Sequence, residues 1–270
     1  MSGFNYNWQF RNNWTLVVPT IQIVLQEGVQ CTSHGVNSLV MAKENISSSF
    51  NVPPKFTLCL PSSGKKGHHL FIGGGPTLIS TSLSQTGFGD GNFSNYEYAF
   101  HLNSININHK PVKFNTSDIR FLDGNGNAGA IISAIQPYTV LHRSVYQLFV
   151  KVFVKAEKAK NMKRVKKVHP FGTCYDANTI ADVPAIDLVL ESRIGKGNYD
   201  ISGHDSLVEV RKGVMCLAFA DGGKQAFSGV LLGGHQLKDR ILEFDLSSSI
   251  LSFSSSLLLQ NKTCSDLISL

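Results

Sequence analysis

Gly129-Ala-Ile-Ile-Ser-Ala-Ile135, Pro137-Tyr-Thr-Val-Leu141 and then His142-Arg-Ser-Val-Tyr-Gln-Leu-Phe-Val-Lys-Val-Phe-Val-Lys-Ala-Glu-Lys-Ala-Lys160 decide the fold. The first two runs are short and apolar and are separated by a proline-marked turn, the pattern of buried strands. In the third, Val145, Leu148, Phe149, Val152, Phe153, Ala156 and Ala159 recur at three- and four-residue spacing, with lysines opposite. That period predicts an amphipathic helix from His142 to Lys160 with one buried face.

Outward from this segment the chain reads as short strands. They are Lys55 to Leu60, Leu70 to Gly73, Tyr98 to Ile107, Lys113 to Phe114, Ile186 to Leu190, Leu207 to Val210, Val214 to Ala220, Gly229 to Leu232, Ile241 to Asp245 and Ile250 to Phe253. Val, Ile, Leu and Phe fill them, and Gly, Pro, Asn and Ser bound them. Ser247 to Ser256 is serine-rich, yet Ile250, Leu251 and Phe253 make it a strand and not a linker. Residues 1–50 are polar and weakly periodic. Ten or so closely spaced strands give an all-β barrel or sandwich class. Hydrophobic residues at 42% and charged residues at 16% describe a folded globule.

Partners are bounded by what is missing. No apolar run approaches the roughly 20 residues that span a bilayer, so no membrane partner is expected. The first thirty residues do not read as a secretory signal, because Arg11 is the first charged side chain and Pro19 interrupts the apolar stretch Leu16 to Leu25. Other features favour secretion. Sequons stand at Asn13, Asn45, Asn92, Asn115 and Asn261. Cys31, Cys59, Cys174, Cys216 and Cys264 are widely spaced, which suits long-range disulfides better than zinc, and their odd number leaves one over. A missing signal and an orphan cysteine together imply that part of the N-terminal sequence is absent. Charge is local. Between Lys151 and Lys167 eight Lys/Arg face Glu157 alone, a net of +7 in a chain of net charge +6. Such a run is either a polyanion or nucleic-acid patch or a solvated helix face. The second reading is preferred and no nucleic-acid partner is expected, because the only aromatic in the run, Phe153, falls on the apolar face.

Gly129 to Ile135 followed by Tyr138 to His142 resembles the second active-site loop of the pepsin-like aspartic proteases. There the pattern is Gly, two or three apolar residues and Asp-Ser/Thr-Gly. FGTCYD (Phe171 to Asp176), VPAIDLVL (Val183 to Leu190), VMCLAF (Val214 to Phe219) and VLLGGHQLKDRILEFDLSSSILSFS (Val230 to Ser254) resemble later strands of the same lobe. FTLCLPSSGKKGHHLFIGGGP (Phe56 to Pro76) and INHKPVKFNTS (Ile107 to Ser117) are similar to one plant branch. That branch holds the basic 7S globulins, the xyloglucan-specific endoglucanase inhibitor proteins and, more distantly, the wheat xylanase inhibitors. The resemblance covers residues 56–270. It implies an all-β, pepsin-like fold with a complete C-terminal lobe carrying one amphipathic helix, and a truncated N-terminal lobe. Residues 1–95 would be an eroded N-terminal lobe remnant with inter-lobe strands, and residues 96–270 the C-terminal lobe of xylanase-inhibitor type. It also implies an extracellular or cell-wall location. A lobe shaped to dock on a missing neighbour would expose apolar surface.

The resemblance also exposes a chemical defect. Aspartic proteases need two carboxylates sharing one proton, one ionised to activate water and one protonated to donate. Here the place of the second Asp is held by Ser133, that of the Ser/Thr by Ala134 and that of the Gly by Ile135. No Asp-Thr-Gly or Asp-Ser-Gly occurs anywhere in the chain. The expectation is a non-enzyme with no cofactor.

In the inhibitor branch, arginines in two loops pair with the catalytic carboxylates of a glycoside hydrolase, because a guanidinium matches a carboxylate with two charge-assisted hydrogen bonds. The first loop corresponds to Asp176-Ala-Asn-Thr-Ile-Ala-Asp182, which has no Arg, so Asp176, Asn178 and Asp182 are its candidate binding residues. The second precedes Cys264, where Asn261 and Lys262 take the matching place. Asp176 and Asp182 would repel a carboxylate-lined cleft, which favours a storage-like or ligand-binding globulin as the alternative. The family pairing implies Cys174 with Cys216, and Cys59 with Cys264, leaving Cys31 over. No metal site is expected. Asp123-Gly-Asn-Gly-Asn127 opens like an EF-hand loop, but Ala128 and Ala134 stand where that loop needs Gly and Glu, so it reads as a hairpin turn. Gly73 to Gly75 reads as a tight backbone crossing and His68-His69 as part of a turn.

Overall fold

The computed structural model describes residues 14–18, 21–25, 53–62, 68–75, 83–89, 98–114, 130–133, 136–191, 197–201, 203–224, 226 and 228–268. Among them one long helix, α1 (Arg143–Lys158), lies within an otherwise β structure. In chain order before it come β1 (Trp14–Val18), β2 (Ile21–Leu25), β3 (Lys55–Cys59), β4 (His68–Ile72), β5 (Ser84–Gly89), β6 (Tyr98–Phe100), β7 (Leu102–Ile107), β8 (Lys110–Pro111), β9 (Ala130–Ser133) and β10 (Thr139–Leu141). After it come β11 (Arg164–Val165), β12 (Cys174–Asp176), β13 (Ile186–Leu190), β14 (Gly197–Ile201), β15 (Leu207–Arg211), β16 (Val214–Leu217), β17 (Phe219–Asp221), β18 (Val230–Gly233), β19 (Ile241–Asp245) and β20 (Ile250–Phe253).

Twelve strands form one sheet in the order β17-β10-β18-β9-β6-β5-β20-β19-β3-β4-β1-β2. Two four-stranded sheets, β11-β12-β16-β15 and β14-β13-β7-β8, complete the fold. The all-β class with one amphipathic helix, expected from the sequence, is the architecture observed. Its main core gathers Phe56, Phe100, Phe149, Phe153, Phe219 and Phe253 with the aliphatic side chains of all three sheets. Phe56 stacks on Phe244 at 4.6 Å, and Phe149 meets Phe219 at 4.7 Å, so aromatic contacts reinforce the β3–β19 pairing and tie the helix to β17 of the large sheet.

Where the strands differ from the sequence reading, the chain is changing sheets. Tyr98 to Ile107 is two strands: β6 pairs with β9 in the large sheet, while β7 pairs with β13. The break is His101, whose carbonyl accepts from Glu191 N at 2.9 Å. Val214 to Ala220 divides in the same way at Ala218, with β16 between β12 and β15, and β17 beside β10. No strand forms at Lys113 to Phe114. Instead β7 returns as β8 through Asn108 and His109, at φ 48° and 61°, a two-residue loop of left-handed residues that matches strand twist. Pro111 is tolerated there because β8 is an edge strand. His68 and His69 begin β4 and do not lie in a turn. Residues 1–50 contain β1 and β2, a paired hairpin in which Pro19 separates two strands where the sequence reading saw only an interruption. The EF-hand-like stretch 123–127 and Cys31 lie outside the described residues. The strands before residue 95 pair with those near the C-terminus: β3 with β19, and β5 with β20. Among the residues whose burial is described, Leu83 and Leu259 are the large apolar side chains left exposed.

In α1 the buried line is Val145, Phe149, Phe153 and Glu157, a four-residue spacing along one face. His142 caps it, its Nδ1 accepting from Ser144 N at 3.4 Å. Lys155 and Lys158 occupy the last turn, where cations suit the helix dipole. Glu157 was counted in the sequence as a surface acid amid lysines, yet it is buried. The Tyr175 hydroxyl donates to its carboxylate, and Arg164 Nε stands 3.8 Å away. Burial raises the Glu157 pKa above its ordinary value, and the contacts with Tyr175 and Arg164 oppose the rise only in part.

Two tests follow from this packing. A Cβ on Gly233 would lie 2.3 Å from the carbonyl carbon and oxygen of Tyr138, so Gly233→Ala should lower stability by about 3 kcal/mol or more, read from urea unfolding midpoints. Because the folded state holds the Glu157 proton to higher pH than the unfolded chain, its stabilising contribution is full below the ordinary value of 4.5 and lost as pH rises through the raised one. Glu157→Gln cannot ionise and keeps an acceptor for Tyr175. Its stability relative to the parent should therefore rise between pH 4 and pH 7 in thermal melts, whereas a flat or falling difference would contradict the assignment.

Candidate functional site

Three strands build the site's frame. β18 runs parallel to β9, with Gly233 opposite Ser133, and antiparallel to β10 on its other side. A strand threaded between two others must come very close to the chain that links them, and Gly233 passes against Tyr138 and Thr139. Thr139 Oγ1 accepts from Gly233 N at 3.1 Å and donates to Gln236 Oε1 at 2.8 Å, which also accepts from Thr139 N at 3.0 Å. Gln236 Nε2 donates to the carbonyls of Asp205 and Ala218, both at 3.0 Å, and its own carbonyl accepts from the Tyr199 hydroxyl at 2.8 Å. Fully buried, Gln236 thus locks β10, the β16–β17 junction and β14 together.

Ser133 ends β9, buried, and its hydroxyl accepts from Gln136 N at 3.3 Å. That bond tightens the turn towards β10. A hydroxyl in this role supplies no ionisable oxygen to activate water. Ala134 and Ile135 lie outside the described residues.

The first loop follows β12. Asp176 caps a short 3-10 turn (Ala177–Thr179), its Oδ1 accepting from Asn178 N at 3.0 Å and Asn178 Nδ2 at 3.1 Å. Thr179 Oγ1 donates to the Asp176 carbonyl at 2.8 Å and accepts from Lys163 N at 2.9 Å. Asp182 is exposed and bonded to the Lys160 ammonium, which holds its carboxyl below the usual value. Asp176 is thus engaged as a cap and keeps its charge, while Asp182 is paired with Lys160, just past the end of α1.

The second loop begins with a 3-10 turn (Leu257–Gln260) that ends on Asn261 in the left-handed region at φ 55°. Leu259, Asn261 and Lys262 are exposed. The base of the loop is rigid. Cys264 is bonded to Cys59, and its amide donates to Asp239 Oδ1 at 2.9 Å, while Asp239 Oδ2 accepts from Ser62 N at 3.1 Å. The other disulfide joins Cys174 to Cys216 across β12 and β16, at the foot of the first loop. The two loops are organised by separate sets of bonds, one anchored to α1 and the other to β3.

Arg240, wholly buried beside the base of the second loop, is not singled out by the sequence. It pairs with Asp205 at 2.8 Å and Asp200 at 3.4 Å and lies over the Tyr199 ring at 4.7 Å. Burial opposes its charge, but Tyr199, Asp200 and Asp205 outweigh that penalty and keep it protonated. Polar residues at Gln236, Asp239 and Arg240, wedged between the apolar runs of β18 and β19, were the signal available. Among the described residues no group of three or more His, Cys, Asp or Glu could hold a metal ion. No helix among them is long and apolar enough to cross a membrane.

Residues 97–255 match the family described as xylanase inhibitor C-terminal. The Glycine max protein named "Probable aspartic proteinase GIP1" is 37% identical over 90% of this chain and 62% of its own length. Basic 7S globulin of Glycine max is 32% identical over 90% of this chain and 59% of its own, and gamma conglutin 1 of Prunus dulcis is 34% identical over 90% and 57%. The chain thus spans about three fifths of these curated relatives. Among solved structures, edgp superposes with a TM-score of 0.74 at 33% identity, covering 83% of this chain and 59% of that one. Basic 7S globulin from soybean gives 0.70 at 35% identity, covering 84% and 57%. The fold is accordingly that of the pepsin-like basic 7S globulins, and the chain belongs to the xylanase inhibitor C-terminal family.

Proposed function

We propose that this protein is a non-catalytic, extracellular, pepsin-like binder of cell-wall glycoside hydrolases, xyloglucan endoglucanases or xylanases, that works as their inhibitor. Ser133 is the observation that carries the non-catalytic half: a neutral hydroxyl, committed to the Gln136 amide, stands where a proton-sharing carboxylate would be needed. The binding half rests on the two loops. Glycosidase clefts present a pair of carboxylates. Asp182 is paired with Lys160, and Lys163 adjoins the first loop through Thr179, so cations beside that loop offset part of its acidity. Lys262 offers a cation from the second loop, with Asn178 and Asn261 as neutral hydrogen-bonding side chains beside the two positions.

A second reading, a storage or ligand-binding globulin, is favoured by the absence of arginine from both loops, since lysine gives charge without the bidentate fork. The purified chain with both disulfides intact is titrated against a panel of xyloglucanases and xylanases, and reducing-sugar release is followed. Inhibition of at least one member, weakened roughly tenfold by Lys262→Glu (about 1.4 kcal/mol), is the expected result. Neither binding nor inhibition across the panel would leave the globulin reading. Pepstatin-sensitive proteolysis at acid pH would overturn the non-catalytic assignment.

A further inference from the structure

Of the strongest charge feature of the chain, only Lys160 and Lys163 touch a loop. Lys151, Lys155 and Lys158 are exposed along one face of α1, spanning about 10 Å at 1.5 Å per residue. The chain then turns into β11, flanked by Lys163, Lys166 and Lys167, which are exposed as well. β11 lies against the C-terminal half of α1, because Arg164 reaches Glu157 and β11 pairs with β12, whose Tyr175 bonds the same carboxylate. The three helical lysines form one exposed face, and the chain brings the lysines around β11 in directly after its C-terminal end.

A solvated helix face ordinarily mixes signs, with acids three or four residues from the bases. Here the acid that could have supplied this balance, Glu157, is turned into the core. The nearby Asp182 is taken by Lys160. Among the described residues none of the six lysines pairs with a carboxylate. Lys151 with Lys155, and Lys155 with Lys158, are like-charge neighbours that weaken the helix. The fold gains nothing from this repulsion, and the face concentrates anions.

We infer that this lysine face binds a linear anionic polysaccharide, a polyuronate-type chain whose carboxylates repeat along its length. The chemistry separates this partner from the other polyanions. Nucleic-acid surfaces add aromatic platforms and arginine forks. The only aromatic of the segment, Phe153, is buried, and its one arginine is engaged with Glu157. An anionic lipid surface would call for apolar side chains beside the lysines. The exposed large apolar residues among those described, Leu83 and Leu259, are not in this segment. Ammonium point charges on flexible stems suit carboxylates spaced along a polymer, read by charge and not by shape. The helical lysines of the face, Lys151, Lys155 and Lys158, take no part in the loops assigned to hydrolase binding, and the inference does not depend on that assignment.

The test uses the disulfide-bonded chain and polygalacturonate as the probe, with binding measured at 50 and 200 mM NaCl. Expected are saturable binding at 50 mM, weakened about tenfold at 200 mM as screening demands. Lys151→Glu/Lys155→Glu/Lys158→Glu should bind at least about tenfold more weakly at 50 mM, and the matching glutamine triple should fall between it and the parent. A control of equal net charge, Lys110→Glu/Lys113→Glu/Lys212→Glu, alters exposed lysines elsewhere and should lose less than about twofold. Thermal melts verify that the variants fold, and the glutamine triple still reads the face should the glutamate triple not fold. Equal losses in the helix and control triples would overturn the inference by making net charge the cause. So would no binding at 50 mM, or tighter binding to a single-stranded oligonucleotide or to phosphatidylserine vesicles than to polygalacturonate.

Discussion

β18 enters between β9 and β10 at a separation that leaves no room for one methyl group at Gly233, and much of the large sheet follows from that approach. Backbone packed this closely cannot be solvated, so its polar groups are satisfied from within. Thr139 and Gln236 do so, the glutamine reaching from the turn after β18 to the carbonyl at which the chain leaves one sheet for another. The three sheets are held in register by a few buried amides as much as by the aromatic core. The same crossing places Ser133 at the mouth of the β9–β10 turn.

Behind the crossing, polarity is kept inside at a cost. Arg240, Asp205, Asp200 and Tyr199 form a buried charged cluster in which Arg240 Nε has no hydrogen-bond partner. Such clusters often contribute little net stability, but removal of one member strands the others. Asp239, the neighbour of Arg240 in the chain, ties Ser62 to Cys264. The second loop therefore stands on a base with little freedom to move, while its exposed tip, Leu259 to Lys262, is left to meet solvent or a partner. A rigid base reduces the ordering cost of any binding event.

Much of this was legible beforehand, for physical reasons. The helix was evident because its period is strong, and its true extent, Arg143 to Lys158, differs from the reading only at the frayed ends. Ile186 to Leu190 and Ile241 to Asp245 were read residue for residue, since turn-forming residues bound compact apolar runs. The illegible parts are those where tertiary contacts override local pattern. Nothing in Tyr98 to Ile107 announces a change of sheet at His101. The polar strand Gly197–Ile201 exists because β13 pairs with it. Glu157 carries the helical period of the core but not its chemistry, and only the Tyr175 hydroxyl explains how a carboxylate is accepted there. In the first candidate loop, the engagement of Asp176 and Asp182 depends on bonds to Asn178 and Lys160 that composition cannot show.

Cys59 and Cys264 close a ring of 205 residues around nearly everything between the first core strand and the last turn. A protease that nicked any exposed loop inside that ring would cut the polypeptide without separating its pieces. The severed halves would travel as a single species until a reductant parted them. The topology turns a break in the chain into a tolerated scar.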